Sequence, residues 1–275
     1  MTTWFITGCS TGFGRALATA VLDRGDNAVI TARNADALEE LVAGHPRTAL
    51  ALPLDVTDHE QVAAAVAQAE SRFGAIDVLV NNAGHGYRAA VEEGEDTAVR
   101  ELFETNFFGL VDVTKQVLPG MRSRRSGVIV NLSSIAGRTS PVGSGYYSAS
   151  KFAVEGLSGS LRQELAPLGI HVIVVEPGQF RTDFSGRSLG QTESLIDDYA
   201  STAGTRRKNL AVVGTERGDP AKLAQAIIEV VAAPEPPLRL LLGADAVART
   251  RAELESQLAE VDAWEHLSVS TDFDA

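Results

Sequence analysis

Tyr147 and Lys151 stand four residues apart in GSGYYSASKFAVEG, residues 143–156. On a helix that spacing sets them one turn apart on one face; the neighbouring Tyr146 meets Ser150 instead. Projected at 100° per residue, Val154, Leu157, Leu161, Leu165 and Leu168 form one apolar stripe, and Tyr147 and Lys151 extend it toward the helix N-terminus. A lysine on a buried face needs a partner or a task. An ammonium beside a phenol stabilises the phenolate and lowers its pKa from about 10, which gives an acid/base usable near neutral pH. In the segment 97–119, Asn106 interrupts a second stripe of Val99, Leu102, Phe103, Leu110, Val113 and Val117. A buried asparagine demands several hydrogen-bond partners. A water or backbone relay toward the lysine meets that demand, and so does a purely structural, backbone-bonded role.

A second chemistry is written at the N-terminus. TGCSTGFG, residues 7–14, follows a strand-like run and precedes the helical RALATAVLDRG. Gly8, Gly12 and Gly14 in that setting permit a tight turn and close approach of a pyrophosphate to backbone N–H groups at a helix start. Ser10, Thr11 and Phe13 lie in the same turn. A cofactor with a free ribose 2′-hydroxyl usually meets an acidic residue after the second strand. Here that strand ends ITARN, and Arg33 stands at the turn. A guanidinium suits a 2′-phosphate, so NADP(H) is the preferred cofactor and NAD(H) the second admissible one. Arg15 is expected at the surface.

The elements that must hold these residues alternate. Strand-like runs at 3–7, 27–32, 48–54, 76–82, 127–133, 171–176 and 238–243 are separated by helical composition. Continuous apolar strands between helices predict an α/β chain: a Rossmann-type doubly wound sheet of about seven parallel strands with helices on both faces. Residues 1–275 are expected to form one domain. Within it, 183–215 is the expected substrate lid, 245–263 an amphipathic helix and 264–275 a loose acidic tail.

The net charge of −12 argues against nucleic acid, which needs a basic footprint. The basic runs at 122–125 and 206–208 are short and read as solvated faces. Cys9 has no second cysteine to pair with, which fits a reducing, cytoplasmic setting. The five histidines lack ligand spacing, so no metal is expected. No basic leader or long apolar run suggests a membrane.

Taken in order and at their spacings, these motifs resemble the short-chain dehydrogenase/reductase family over about residues 3–245. TGCSTGFG resembles its TGxxxGxG cofactor turn, and Asp55-Val56 its adenine-contacting pair. Asn81-Asn82-Ala83-Gly84 resembles its NNAG segment. Asn106, a serine of NLSSIAG, Tyr147 and Lys151 resemble its catalytic set. PGQFRT, with Pro177, Gly178 and Thr182, resembles the segment at the nicotinamide end. The family's serine usually lies about 13 residues before the tyrosine, which selects Ser134 over Ser133. The resemblance implies that Ser134 holds the substrate oxygen, Tyr147 passes the proton, Lys151 binds the nicotinamide ribose and lowers the tyrosine pKa, and Asn106 anchors a relay water. It implies interconversion of an alcohol with its ketone or aldehyde. The opening ITGCSTGFGRALA is similar to the branch of steroid 17β- and retinol-type dehydrogenases, implying a bulky hydrophobic substrate.

Two other functions compete. A cofactor-sensing binding protein on the same fold typically lacks the tyrosine or the lysine; both are present here. A sugar-nucleotide epimerase needs a larger C-terminal substrate domain. A homodimer or homotetramer is expected on the outward faces of the two long helices, Ala149, Phe152, Gly156, Gly159, Ser160 and Gln163 on one and Phe107, Phe108, Val111 and Leu118 on the other.

Overall fold

The computed structural model describes residues 1–186, 188–208 and 214–273. Its strands are β1 (Thr3–Ile6), β2 (Asn27–Ala32), β3 (Ala49–Pro53), β4 (Val78–Asn81), β5 (Gly86–Arg88), β6 (Gly127–Leu132), β7 (Ile170–Pro177), β8 (Leu189–Gln191) and β9 (Arg239–Leu242). Its α-helices are α1 (Gly12–Asp23), α2 (Glu39–Gly44), α3 (His59–Phe73), α4 (Asp96–Phe103), α5 (Leu110–Arg124), α6 (Gly145–Leu165), α7 (Ala203–Lys208), α8 (Pro220–Val231) and α9 (Ala244–Val269). Seven strands form one sheet in the order β3-β2-β1-β4-β6-β7-β9, every neighbouring pair parallel. The order reverses between β1 and β4. This is the doubly wound, Rossmann-type sheet.

Side chains alternate across the pleat, and both faces are covered. Trp4, Ile6, Ile30, Val80, Val130 and Ile173 pack with α1 and α8 through Leu17, Val21, Leu223 and Ile227. The intervening Phe5, Val29, Leu79, Ile129 and Val172 pack with α3, α5 and α6 through Val62, Val66, Val113, Val117, Leu161 and Leu165. With no wet face, each strand can be apolar at successive positions, which is why the runs are continuous rather than alternating. A buried polar chain crosses the second layer. Asn81 Nδ2 donates to Thr114 Oγ1 at 3.0 Å and to Asn131 Oδ1 at 2.9 Å, and Asn131 Nδ2 donates to Ser158 Oγ at 2.9 Å. It ties β4, its neighbour β6, α5 and α6 together.

Three local features depart from expectation. The short parallel pair β5–β8 joins the segment after β4 to the expected lid. The expected loose tail from residue 264 is helical through Val269, because no Gly or Pro interrupts 244–269; residues 274 and 275 lie outside the described residues. The expected lid, of which 187 and 209–213 also lie outside, is pinned rather than loose. Arg207 pairs with buried Glu93, so Arg206 and Arg207 of the 206–208 run, both half-buried, do not form a solvated face. Glu93 also accepts from the N–H groups of Ala90 and Ile196 at 3.0 and 2.9 Å. Among the described residues, no helix is long and apolar enough to cross a membrane.

Candidate active site

A cleft of about 1930 Å³ opens at the C-terminal ends of the strands, over the reversal of strand order, where open α/β sheets bind ligands. It exceeds the roughly 300–1,000 Å³ of a typical small-ligand pocket, leaving room for a dinucleotide and a second molecule.

One end is the turn from β1 into α1. Gly8 has φ +71°, and a Cβ on Gly14 would lie 2.3 Å from the Gly8 carbonyl oxygen, so a side chain cannot be accommodated there without moving backbone. Thr11 occupies the N-cap of α1 without a side-chain cap bond, and the first turn carries no acidic residue. The helix start therefore offers its N–H groups and positive potential outward. Ser10, Thr11, Gly12 and Phe13 line the cleft here. Asn82 braces the turn from β4: its Nδ2 donates to the carbonyls of Thr7 and Gly8 at 2.8 and 3.0 Å, while Thr7 Oγ1 accepts from the N–H groups of Asn82 and Ala83. Thr7 was not singled out in the sequence; its place in TGCSTGFG was the signal. Below the turn, Cys9 is fully buried and its thiol donates to the Ile6 carbonyl at 3.2 Å. Burial pushes that thiol up to about 12.

Arg33, Asp55 and Val56 line the same end. Asp55 accepts from the N–H and hydroxyl of Thr57 at 3.0 and 2.8 Å. Arg33 is exposed, and among the described residues no carboxylate lies within ion-pairing distance of it. Arg15 turns away, paired with Glu40. Toward the middle lie Ala83, Gly84, Pro177, Gly178 and Thr182; Gly178 N–H donates to Leu242, and Thr182 Oγ1 accepts from Phe184 N–H. These residues fit a nicotinamide dinucleotide: an uncapped helix start for the pyrophosphate, a free guanidinium at the end of β2, and a path between them.

At the centre, Ser134 and Tyr147 line the same stretch of cleft, and Ser134 Oγ accepts from Ala136 N–H at 3.1 Å. The adjacent Ser133 is buried with its hydroxyl unpartnered. Lys151 is 5% exposed. Its Nζ donates to the Leu132 carbonyl at 2.8 Å and lies 5.9 Å from the centre of the Tyr147 ring. Burial brings the Lys151 pKa down to about 8, against an upward pull from Glu155. The expectation that Lys151 lowers the tyrosine pKa is not met in the protein alone. Burial pushes the phenol up to about 12 and the neighbouring Ser134 hydroxyl opposes this, while the ammonium is engaged by a backbone carbonyl. Tyr146 turns aside and donates to the Val91 carbonyl at 2.6 Å.

Asn106 sits in a π-helical turn, Glu104–Gly109, between α4 and α5. Its Oδ1 accepts from His85 N–H, and its Nδ2 donates to the His85 carbonyl, both at 2.9 Å, and to Ser150 Oγ at 3.2 Å. The side chain thus fixes the backbone just after Gly84 to α6 beside Lys151. Sequence periodicity could not reveal the π turn, since it adds one residue to a stretch that still reads as helix.

Comparison with known proteins agrees with this architecture. The family model for short chain dehydrogenase matches residues 2–193. Oxidoreductase BOA17 of Botryotinia fuckeliana is 41% identical, over 98% of each chain. Retinol dehydrogenase 8 of Homo sapiens is 36% identical over 86% of this chain and 80% of its own. The crystal structure of a short-chain dehydrogenase from Streptomyces avermitilis superposes with a TM-score of 0.93 at 44% identity, covering 99% of this chain and 100% of that one. A Burkholderia phymatum short chain dehydrogenase/reductase in complex with NAD gives a TM-score of 0.81 at 25% identity, covering 93% and 95%. A Burkholderia cenocepacia short chain dehydrogenase in complex with NADP gives 0.76 at 25%, covering 95% and 96%. The chain belongs to the short-chain dehydrogenase family of oxidoreductases, whose members use a nicotinamide cofactor.

Proposed function

We propose that the protein is an NADP(H)-dependent oxidoreductase that interconverts an alcohol with its ketone or aldehyde. The observation that carries this reading is the buried Lys151, its Nζ 5.9 Å from the centre of the Tyr147 ring and donating to the Leu132 carbonyl, in the cleft that Ser134 also lines. In carbonyl reduction, Ser134 donates to the substrate oxygen and orients it, and Tyr147 gives that oxygen its proton. In alcohol oxidation the Tyr147 phenolate receives the proton. A bound nicotinamide supplies or accepts the hydride. Lys151 is poised to stabilise the phenolate, and Asn106 keeps the His85 backbone and α6 in register around it. Arg33 favours the 2′-phosphate of NADP(H). Phe184, whose ring lies 5.7 Å from that of Tyr147, and Val142 on the cleft wall favour a substrate with an apolar body, as does the similarity to a protein named retinol dehydrogenase.

Tyr147→Phe is expected to lower kcat by at least about a hundredfold, the usual contribution of a positioned acid–base group being about 10²- to 10⁴-fold, with NADPH affinity nearly unchanged. A variant keeping more than about a tenth of wild-type kcat removes Tyr147 from the mechanism. A wild type that binds NADPH but reduces no carbonyl would favour the sensing alternative.

A further inference from the structure

Arginines from three separate elements line the cleft away from the dinucleotide turn: Arg88 at the end of β5, Arg206 in α7 and Arg249 in α9. Their side of the cleft is the substrate side. Ala89, which follows Arg88, bridges to Ser144 at the start of the helix bearing Tyr147, and a Cβ on Gly143 would lie 3.2 Å from Ala203 of α7. Arg88 Nη1 donates to the backbone carbonyl of Arg206 at 3.3 Å. The Nε of Arg206 is buried with no hydrogen-bond partner.

Among the described residues, none of the three forms an ion pair. Carboxylates are not scarce, since 36 acidic residues face 24 basic ones. Two carboxylates of this side, Glu93 and Glu95, are engaged elsewhere, and Glu216 of the cleft lining is not paired with any of the three. Arg207, next in sequence, takes Glu93, and Glu95 accepts from Thr192, Glu193 N–H and Tyr87. Like charges gathered on one wall repel, and Arg88 and Arg206, both half-buried, also lose hydration, while Arg249 stands exposed beside them. Burial, then the charges of Arg88 and Arg249, hold the Arg206 guanidinium below its ordinary pKa, as that picture requires. An oxyanion would relieve both costs, and a planar fork of N–H donors matches carboxylate or phosphate oxygens.

We propose that the substrate carries an oxyanionic group, carboxylate or phosphate, held by Arg88, Arg206 and Arg249 while its apolar body leads to the reacting carbon at Tyr147. The proposal rests on the oxidoreductase reading for its second half only, because the anion site is testable without turnover. Decanoate, decyl phosphate and methyl decanoate would be titrated at fixed ionic strength into NADP⁺-saturated wild type, Arg88→Gln, Arg206→Gln and Arg249→Gln, each variant checked for an unchanged thermal midpoint. At least one anion is expected to bind wild type about ten- to a hundredfold more tightly than the ester, the span of a charge-assisted hydrogen bond. Arg206→Gln and Arg88→Gln should erase that preference and leave NADP⁺ affinity unchanged. Acid and phosphate arms distinguish the two anions. Wild type with no preference for either anion overturns the proposal, as does a variant that loses NADP⁺ affinity instead, since the arginines would then hold cofactor phosphates. An anion preference in a protein that reduces no carbonyl would leave the site standing and reject the oxidoreductase reading.

Discussion

The proposed preference for NADP(H) rests on a single side chain, Arg33. It stands just after β2 where an acid would select a free ribose, and among the described residues no carboxylate pairs with it. Arg33→Ala is expected to weaken NADP(H) binding by about 1.5–3 kcal/mol, the range for a hydrogen bond to a charged group, and to change NAD(H) little. Dissociation constants for both cofactors check this; equal losses would mean that Arg33 does not read the 2′-phosphate. At this scale, the sequence was most informative where a residue type was out of place on a pattern, as Lys151 and Asn106 were on apolar stripes. It was silent on partners that are backbone atoms, such as the Leu132 carbonyl on Lys151 and the His85 peptide on Asn106. It also misread Arg207, because Glu93 lies 114 residues away in the chain.

The segment expected to act as a lid should have a stability that follows pH. Glu93 is buried beneath it, and the Arg207 guanidinium with the Ile196 and Ala90 N–H groups holds its carboxyl down from 4.5 to about 2. A folded-state pKa below the unfolded value stabilises fully above the latter and is lost as pH falls through the former. Docking of α7 onto the Ala90–Glu93 turn is therefore expected to persist above pH 4.5 and to loosen toward pH 2. Pepsin should begin to cut within residues 192–207 over that interval, and Glu93→Gln should be cut there already at its upper end. Cleavage equal in wild type and variant would mean that the pair does not pin the lid. The seven long strands were legible because both faces of the sheet are covered, which leaves apolar runs bounded by turn residues. β5 and β8 were not, since three residues each carry no period.

For the whole molecule, Phe108 in the π turn before α5 and the outward face of α6 remain uncovered by the other described residues, whereas Leu118 of α5, expected outward, packs against the core. Phe108 is 52% and Phe152 43% exposed, and a Cβ on Gly156 or Gly159 would meet nothing within 4 Å. Apolar and small residues side by side let another helix approach closely, so we propose a two-fold pairing of these helices with a second copy of the chain. Sedimentation should show wild type as a dimer or tetramer at micromolar concentration, and Phe108→Glu and Gly156→Arg as smaller species. A monomeric wild type would end the idea. The doubly wound plan was readable because alternation of elements determines layers; which faces stay bare depends on where α8 and α9 dock, and periodicity does not encode that.

The thiol sealed beneath the phosphate turn has a practical consequence. Cys9 is the chain's one sulfhydryl, and at neutral pH its burial leaves essentially none of the thiolate that alkylating reagents and oxidants attack. The enzyme should therefore need no reductant in storage, and maleimides should leave it untouched. A cysteine introduced elsewhere would then be the sole reactive handle, so that a dye or spin label placed on the lid would report its movement against a silent background.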